Sequence, residues 1–256
     1  MSIDNEGEGL ISRRTFLDGC SRLAMLASIS SLVGASLVEN VAADEGSAGK
    51  GLFAYGDEGR WPTENSFTIG FLYTERPDEH RLRIKELRKK HAYRRMFEYD
   101  STDKSKVPFA IDVLNYFFVE PDLRFISKVA GEAKTSEQFH YKSIVDQLAP
   151  NKSKVFLTVK TNGRVGGGKN VREYLKKEVG RIGGITVVRR SEDDLMQIAD
   201  FLTGNVAFNA SRSQGSGASK NRVKTELLKT LQEHLKVASL LDGSLKSGKK
   251  FRVLHV

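Results

Sequence analysis

Asp57, Glu98 and Asp200 are the residues of this 256-residue chain whose types and settings suit metal chemistry. Asp57 follows the apolar run Gly51 Leu52 Phe53 Ala54 Tyr55 Gly56, at the close of an expected first strand. Asp200 is embedded in Leu195 Met196 Gln197 Ile198 Ala199 Asp200 Phe201 Leu202, an expected helix. A carboxylate placed where burial favours hydrocarbon needs a compensating charge. A divalent cation is one source of that charge, because Mg²⁺ and Mn²⁺ take carboxylate oxygens as ligands. Each acid also has a plainer reading. Asp57 could cap a turn before Gly59. Glu98 stands near Asp100 and Asp103 in a polar stretch that solvent would accept, and Asp200 falls at the edge of an apolar face made by Leu195, Ile198, Ala199, Leu202 and Val206.

The elements that must position these acids are legible in the apolar periodicity. Residues 51–55 and 66–73 read as two strands joined by the turn chemistry of Gly59 to Asn65, a hairpin. Residues 77–93 read as a very basic helix, and residues 107–118 as a helix whose Phe109, Ala110, Val113, Leu114 and Phe117 follow three-and-four spacing. Strands at 123–129, 154–159 and 184–188 then alternate with helices at 139–148 and 170–179, ahead of the helix bearing Asp200. That order predicts an α/β sheet with parallel pairings and an antiparallel opening hairpin. A Ser/Gly-rich stretch from Ser211 precedes a last helix at 220–237, and the polar, basic tail after Asp242 reads as poorly packed.

Three motifs carry a resemblance. Tyr55 Gly56 Asp57 Glu58 Gly59, then Phe97 Glu98 Tyr99, then Gln197 Ile198 Ala199 Asp200 with its flanking apolar residues resemble the signatures of a widespread bacterial domain-of-unknown-function family. Its members open on an Asp-Glu-Ser-Gly strand and end on a Gln-apolar-Ala-Asp helix. The resemblance covers most of residues 51–209 and implies a ribonuclease-H-like mixed sheet flanked by helices. It further implies that Asp57, Glu98 and Asp200 are catalytic carboxylates holding Mg or Mn, with Glu58 on the opposite face of the strand. Two departures stand against it. The motif Ser is missing, since Gly59 directly follows Glu58. The fourth strand, where catalytic members often carry another acid, ends in Leu157 Thr158 Val159 Lys160 Thr161 Asn162 without one.

Composition adds a partner class and an address. The formal net charge is +9 and the isoelectric point about 9.5, which favours phosphate-bearing partners. Arg88, Lys89 and Lys90 in the basic helix, and Lys169 in the run Gly163 to Asn170, are candidate nucleic-acid contacts, with Trp61 or Tyr93 available to stack on bases. Against this, charge runs on helices are commonly solvated faces. The glycine run fails as a P-loop, because Asn170 stands where a Ser or Thr would hold Mg²⁺, and it reads as a mobile surface loop.

Ser12 Arg13 Arg14 Thr15 Phe16 Leu17, an apolar stretch of 16 residues from Leu23 to Val38, and Val41 Ala42 Ala43 read together as a twin-arginine signal. The stretch is shorter than the roughly 20 residues of a spanning helix, so no stable membrane anchor is expected. Removing residues 1–43 leaves +11 on residues 44–256, and the only cysteine, Cys20, goes with them. The expected organisation is a signal at 1–43, a linker at 44–50, a ribonuclease-H-like domain at 51–210, and a flexible loop, C-terminal helix and basic tail at 211–256. The partners are the twin-arginine export machinery and nucleic acid, and the destination is periplasmic or extracellular. Three functions remain open: a metal-dependent phosphodiesterase or nuclease, a catalytically degenerate nucleic-acid-binding module, and an exported domain with no nucleic-acid role.

Overall fold

The computed structural model describes residues 51–60, 67–130, 137–148, 154–160, 167–188, 190, 192–213 and 221–255. The signal with Arg13 and Arg14, Trp61 and the first part of the glycine run lie outside them. Residues 48–256 form one compact unit.

Six strands make one sheet in the order β5-β4-β1-β2-β3-β6, with β1 Leu52–Arg60, β2 Phe67–Thr74, β3 Arg124–Ala130, β4 Val155–Lys160, β5 Ile182–Val188 and β6 Phe251–His255. β2 pairs antiparallel with β1 and β3, while β1–β4, β4–β5 and β3–β6 are parallel, so only β2 runs against the rest. The α/β mixed sheet flanked by helices expected from the sequence is the architecture observed.

Period-two alternation divides the core into two layers. Tyr55, Leu72, Phe125, Val129, Phe251 and Val253 face one layer with four helices: α1 Pro77–Lys90, α2 Val107–Val119, α5 Asp194–Ser213 and α6 Arg222–Leu235. Ala54, Ile69, Phe71, Ile126, Leu157 and Val159 face the other, with α3 Glu137–Leu148 and α4 Gly167–Glu178. α5 lies against β1 and β2 and is buried along most of its length.

Three expectations change. β1 does not close at Tyr55 but runs through Asp57, which pairs with Gly70, so the turn-cap reading of Asp57 fails. Gly167 to Asn170 open α4 as its first turn instead of continuing a loop. The tail is also no appendage. Asp242 caps a short 3₁₀ turn at Gly243–Ser247, and β6 adds to the edge of β3 with Phe251 and Val253 buried. Its polar composition hid a short in-out alternation, Phe251 and Val253 inward with Arg252 between them. The domain therefore extends past residue 210 to β6.

Candidate functional site

β1 and β4 run parallel with Tyr55 opposite Thr158 and Gly56 opposite Val159, so Asp57 and Lys160 leave neighbouring strands on the same face, near their carboxyl ends. That face is the one α5 covers. α5 comes close because Gly70 has no side chain: a Cβ there would fall 2.1 Å from Thr203 Oγ1 and 2.7 Å from the Phe125 ring. Gly204 plays the same part on the helix's other side, where a Cβ would meet the Tyr99 ring at 2.3 Å.

The middle motif docks on α5 through its backbone. Gln197 Oε1 accepts from the Phe97 N–H at 2.7 Å, and Asp200 Oδ2 accepts from the Tyr99 N–H at 2.8 Å. Residues 197 and 200 are one helical turn apart, so they take alternate amides of an extended segment. The Phe97 and Phe201 rings pack at 4.7 Å beside them. The Gln and Asp of the late motif thus clamp the segment that carries Glu98.

Asp57 is 1% exposed and lies beside Asp200. Its Oδ1 accepts from the Glu58 N–H at 2.7 Å, and its Oδ2 faces Lys160 Nζ at 3.4 Å. The same ammonium stands 3.7 Å from Asp200 Oδ1. Burial, and then the neighbouring Asp200, push the Asp57 carboxyl up to about 8, against the pull of Lys160. For Lys160, burial favours the neutral amine, but the charges of Asp200, Asp57 and, at longer range, Glu98 outweigh it and hold the pKa above the ordinary lysine value. The three acids expected to surround a metal ion do act on a common cation. That cation is Lys160.

The donor set does not fit a divalent ion. Mg²⁺ is commonly held by one or two carboxylates with water in its remaining positions, so what stands against an ion here is the ammonium between the two acids. Asp57 and Asp200 have each committed one oxygen to a backbone N–H and turned the other toward an ammonium. Glu98 makes no ion pair among the described residues. No three His, Cys, Asp or Glu side chains group closely enough to hold an ion among them either. Of the expected Asp57–Glu98–Asp200 set, two acids converge, Glu98 makes no ion pair among the described residues, and a lysine stands between the two. The sequence offered one signal for Lys160, its place at the end of the fourth strand where an acid was missing. Glu58 behaves as expected on the opposite face, accepting from Tyr141 Oη at 2.7 Å.

Two buried hydroxyls adjoin the cluster, those of Thr203 over Gly70 and of Tyr99, and neither has a hydrogen-bond partner among the described residues. One turn of chain away, α1 shows why it is so basic. Arg81 reaches Asp193 Oδ2 at 2.7 Å and Tyr55 Oη at 2.9 Å. Arg88 donates to Asp194 Oδ1 at 2.7 Å and Gln197 Oε1 at 2.6 Å. Arg88 therefore anchors the start of α5 and is spent inward, contrary to its expected role on nucleic acid. Tyr93 is likewise engaged, stacked on Phe109 at 4.6 Å with the Arg88 guanidinium over its ring. Lys90 pairs with Asp112 at 2.6 Å but stays 65% exposed. Lys89 is exposed and without an ion pair among the described residues, as are Lys85, Arg94 and Arg95. The Lys169 side chain lies outside the described residues.

Sequence reasoning missed a second network altogether. His80, 1% exposed, holds Tyr116 Oη at 2.6 Å on Nδ1 and Asp122 Oδ2 at 3.2 Å on Nε2, and Thr74 Oγ1 donates to the same Asp122 oxygen. Its members lie on α1, α2, β2 and the turn before β3 with no common spacing, so no motif announces it.

Fold and site together define an α/β domain with a buried Asp–Lys–Asp cluster beside the carboxyl ends of two parallel strands. No family model matches the chain, and no curated protein does. Among solved structures the chain is similar to ribonuclease H2 from Pyrococcus horikoshii, with a TM-score of 0.42 and 12% identity, over 72% of this chain and 89% of that one.

Proposed function

We propose that this is an exported, ribonuclease-H-like nucleic-acid-binding module that holds phosphate backbones through its basic surface and has lost metal-dependent cleavage. The observation that carries the reading is the Lys160 ammonium between Asp57 and Asp200, at 3.4 and 3.7 Å. A carboxylate pair closed by a lysine offers no open ligands for the ions that would clamp an in-line phosphoryl transfer. Binding is supported by the net charge of +9 and by the exposed cations Lys85, Lys89, Arg94 and Arg95, which follow one another from α1 into the segment leading to Glu98. Tyr93, stacked on Phe109, has no part in it.

Fluorescence anisotropy with labelled single strands, duplexes and RNA–DNA hybrids tests this, read across a salt series. The expected result is affinity falling linearly in log–log form as phosphate counterions are released. Lys89→Glu and Arg94→Glu weaken it, Asp57→Asn leaves it unchanged, and Mn²⁺ produces no cleavage. Mn²⁺-dependent cleavage abolished by Asp57→Asn would establish the nuclease reading instead. Absence of binding to every probe would leave an exported domain with no nucleic-acid role. Export is checked separately by fractionating cells that carry Arg13→Lys with Arg14→Lys; an unchanged location removes that part of the proposal. Among the described residues no helix is long and apolar enough to cross a membrane.

A further inference from the structure

We propose that Lys160 is the resident cation of the acid cluster: its ammonium takes the position between Asp57 and Asp200, holds the two carboxylates together, and by its charge keeps divalent ions out. The inference rests on reading the site as closed, and it extends that reading from what the site fails to do to what holds it in place.

Geometry comes first. The lysine is fixed from both ends, with its backbone in the last position of β4 and its Nζ facing one oxygen of each acid. Its side chain is 14% exposed, and those of Asp57 and Asp200 are 2% and 19%, so the three groups interact largely out of water. The other oxygen of each acid is tied to a backbone N–H, of Glu58 and of Tyr99, which stops either carboxylate from turning both oxygens toward an ion.

Charge then decides the outcome. Two carboxylates bring two negative charges, and the ammonium returns one. A divalent ion entering would face an ammonium a few ångströms away, and its double charge doubles the repulsion that a single like charge would meet there. Removing the ammonium reverses this. The cluster then carries uncompensated negative charge in a buried setting, with Glu98 near enough to contribute, and that is the electrostatic condition for cation uptake.

The test compares the full chain as wild type, Lys160→Met, and Lys160→Met combined with Asp57→Asn, each stripped with EDTA. Mn²⁺ uptake is read from the loss of the free-ion EPR signal, and thermal melting is followed with EDTA and with Mn²⁺. In the wild type, no Asp57-dependent uptake and identical melting in the two buffers are expected. Lys160→Met is expected to melt lower in EDTA, to recover with Mn²⁺ through ligand linkage, and to bind Mn²⁺ at least about tenfold more tightly than the wild type. Adding Asp57→Asn cancels that gain. Uptake of Mn²⁺ by the wild type that Asp57→Asn abolishes would overturn the proposal, and so would a folded Lys160→Met that gains none. Should Lys160→Met fail to fold in either buffer, the wild-type titration and Lys160→Arg still decide: the arginine variant keeps the charge and must fold without taking up Mn²⁺. No nucleic acid enters the assay, so failure here and failure of nucleic-acid binding are read independently.

Discussion

A single proton on Asp57 sets a pH signature. Its folded pKa lies near 8 against 3.8 for the free group, so between those values the folded state holds more proton than the unfolded one. Stability from this residue is fully present below the lower value, falls as pH rises between them, and levels off above the upper. The slope can reach about 1.4 kcal/mol per pH unit. Asp57→Asn mimics the protonated acid and removes the slope. Urea unfolding across this range should therefore show the variant gaining on the wild type as pH rises; parallel curves would mean Asp57 is ionised throughout. Two neighbours make a paired prediction about packing. Gly70→Ala drives a Cβ into Thr203 Oγ1 and the Phe125 ring, an overpacking cost of about 1–3 kcal/mol or more. Thr203→Val replaces an unpartnered buried hydroxyl with a methyl of similar size and should be neutral or stabilising by up to about 1 kcal/mol. Thermal melts of the two variants check both signs.

Between elements, the decisive joints are α1 to α5 and the Phe97–Tyr99 segment to α5. Arg88 serves both at once, since the Gln197 oxygen it donates to also receives the Phe97 N–H. Arg88→Ala leaves Asp194 without its guanidinium and costs about 1.5–3 kcal/mol, the scale of a charge-assisted hydrogen bond. Arg88→Lys recovers little, because one ammonium cannot reach Asp194 and Gln197 in the forked geometry. Chemical denaturation should rank wild type first with the two variants close together. Equal stability of Arg88→Lys and wild type would show that charge alone matters. Neither variant should change nucleic-acid affinity as Lys89→Glu does.

Across the whole molecule, the sheet depends on its last five residues. Phe251 and Val253 are 1% and 0% exposed against Phe125 and the α2 side of the core. Burying two such side chains is worth about 3–6 kcal/mol. That is a large share of the 5–15 kcal/mol by which domains are stable. Truncation after Gly248 should thus give a chain with weakened or lost cooperative unfolding by circular dichroism. A full-stability truncation would show β6 to be ornamental.

The sequence by itself determined the strand and helix order, the mixed sheet, the opposite facing of Asp57 and Glu58, and the three motifs that meet, because periodicity and local spacing are written along the chain. It misjudged the polar tail because a strand needs only every second residue to be apolar. It misassigned Arg88 for a related reason: a basic helix looks the same whether its arginines face solvent or the acids of a helix 106 residues further on. What only the tertiary structure decided is the identity of the cation. Lys160 appears in sequence as the want of an acid at the end of β4, and its ammonium acquires meaning when β1, β4 and α5 bring Asp57 and Asp200 to it. Electrostatic energy depends on distance in space, and residues 57, 160 and 200 share none along the chain.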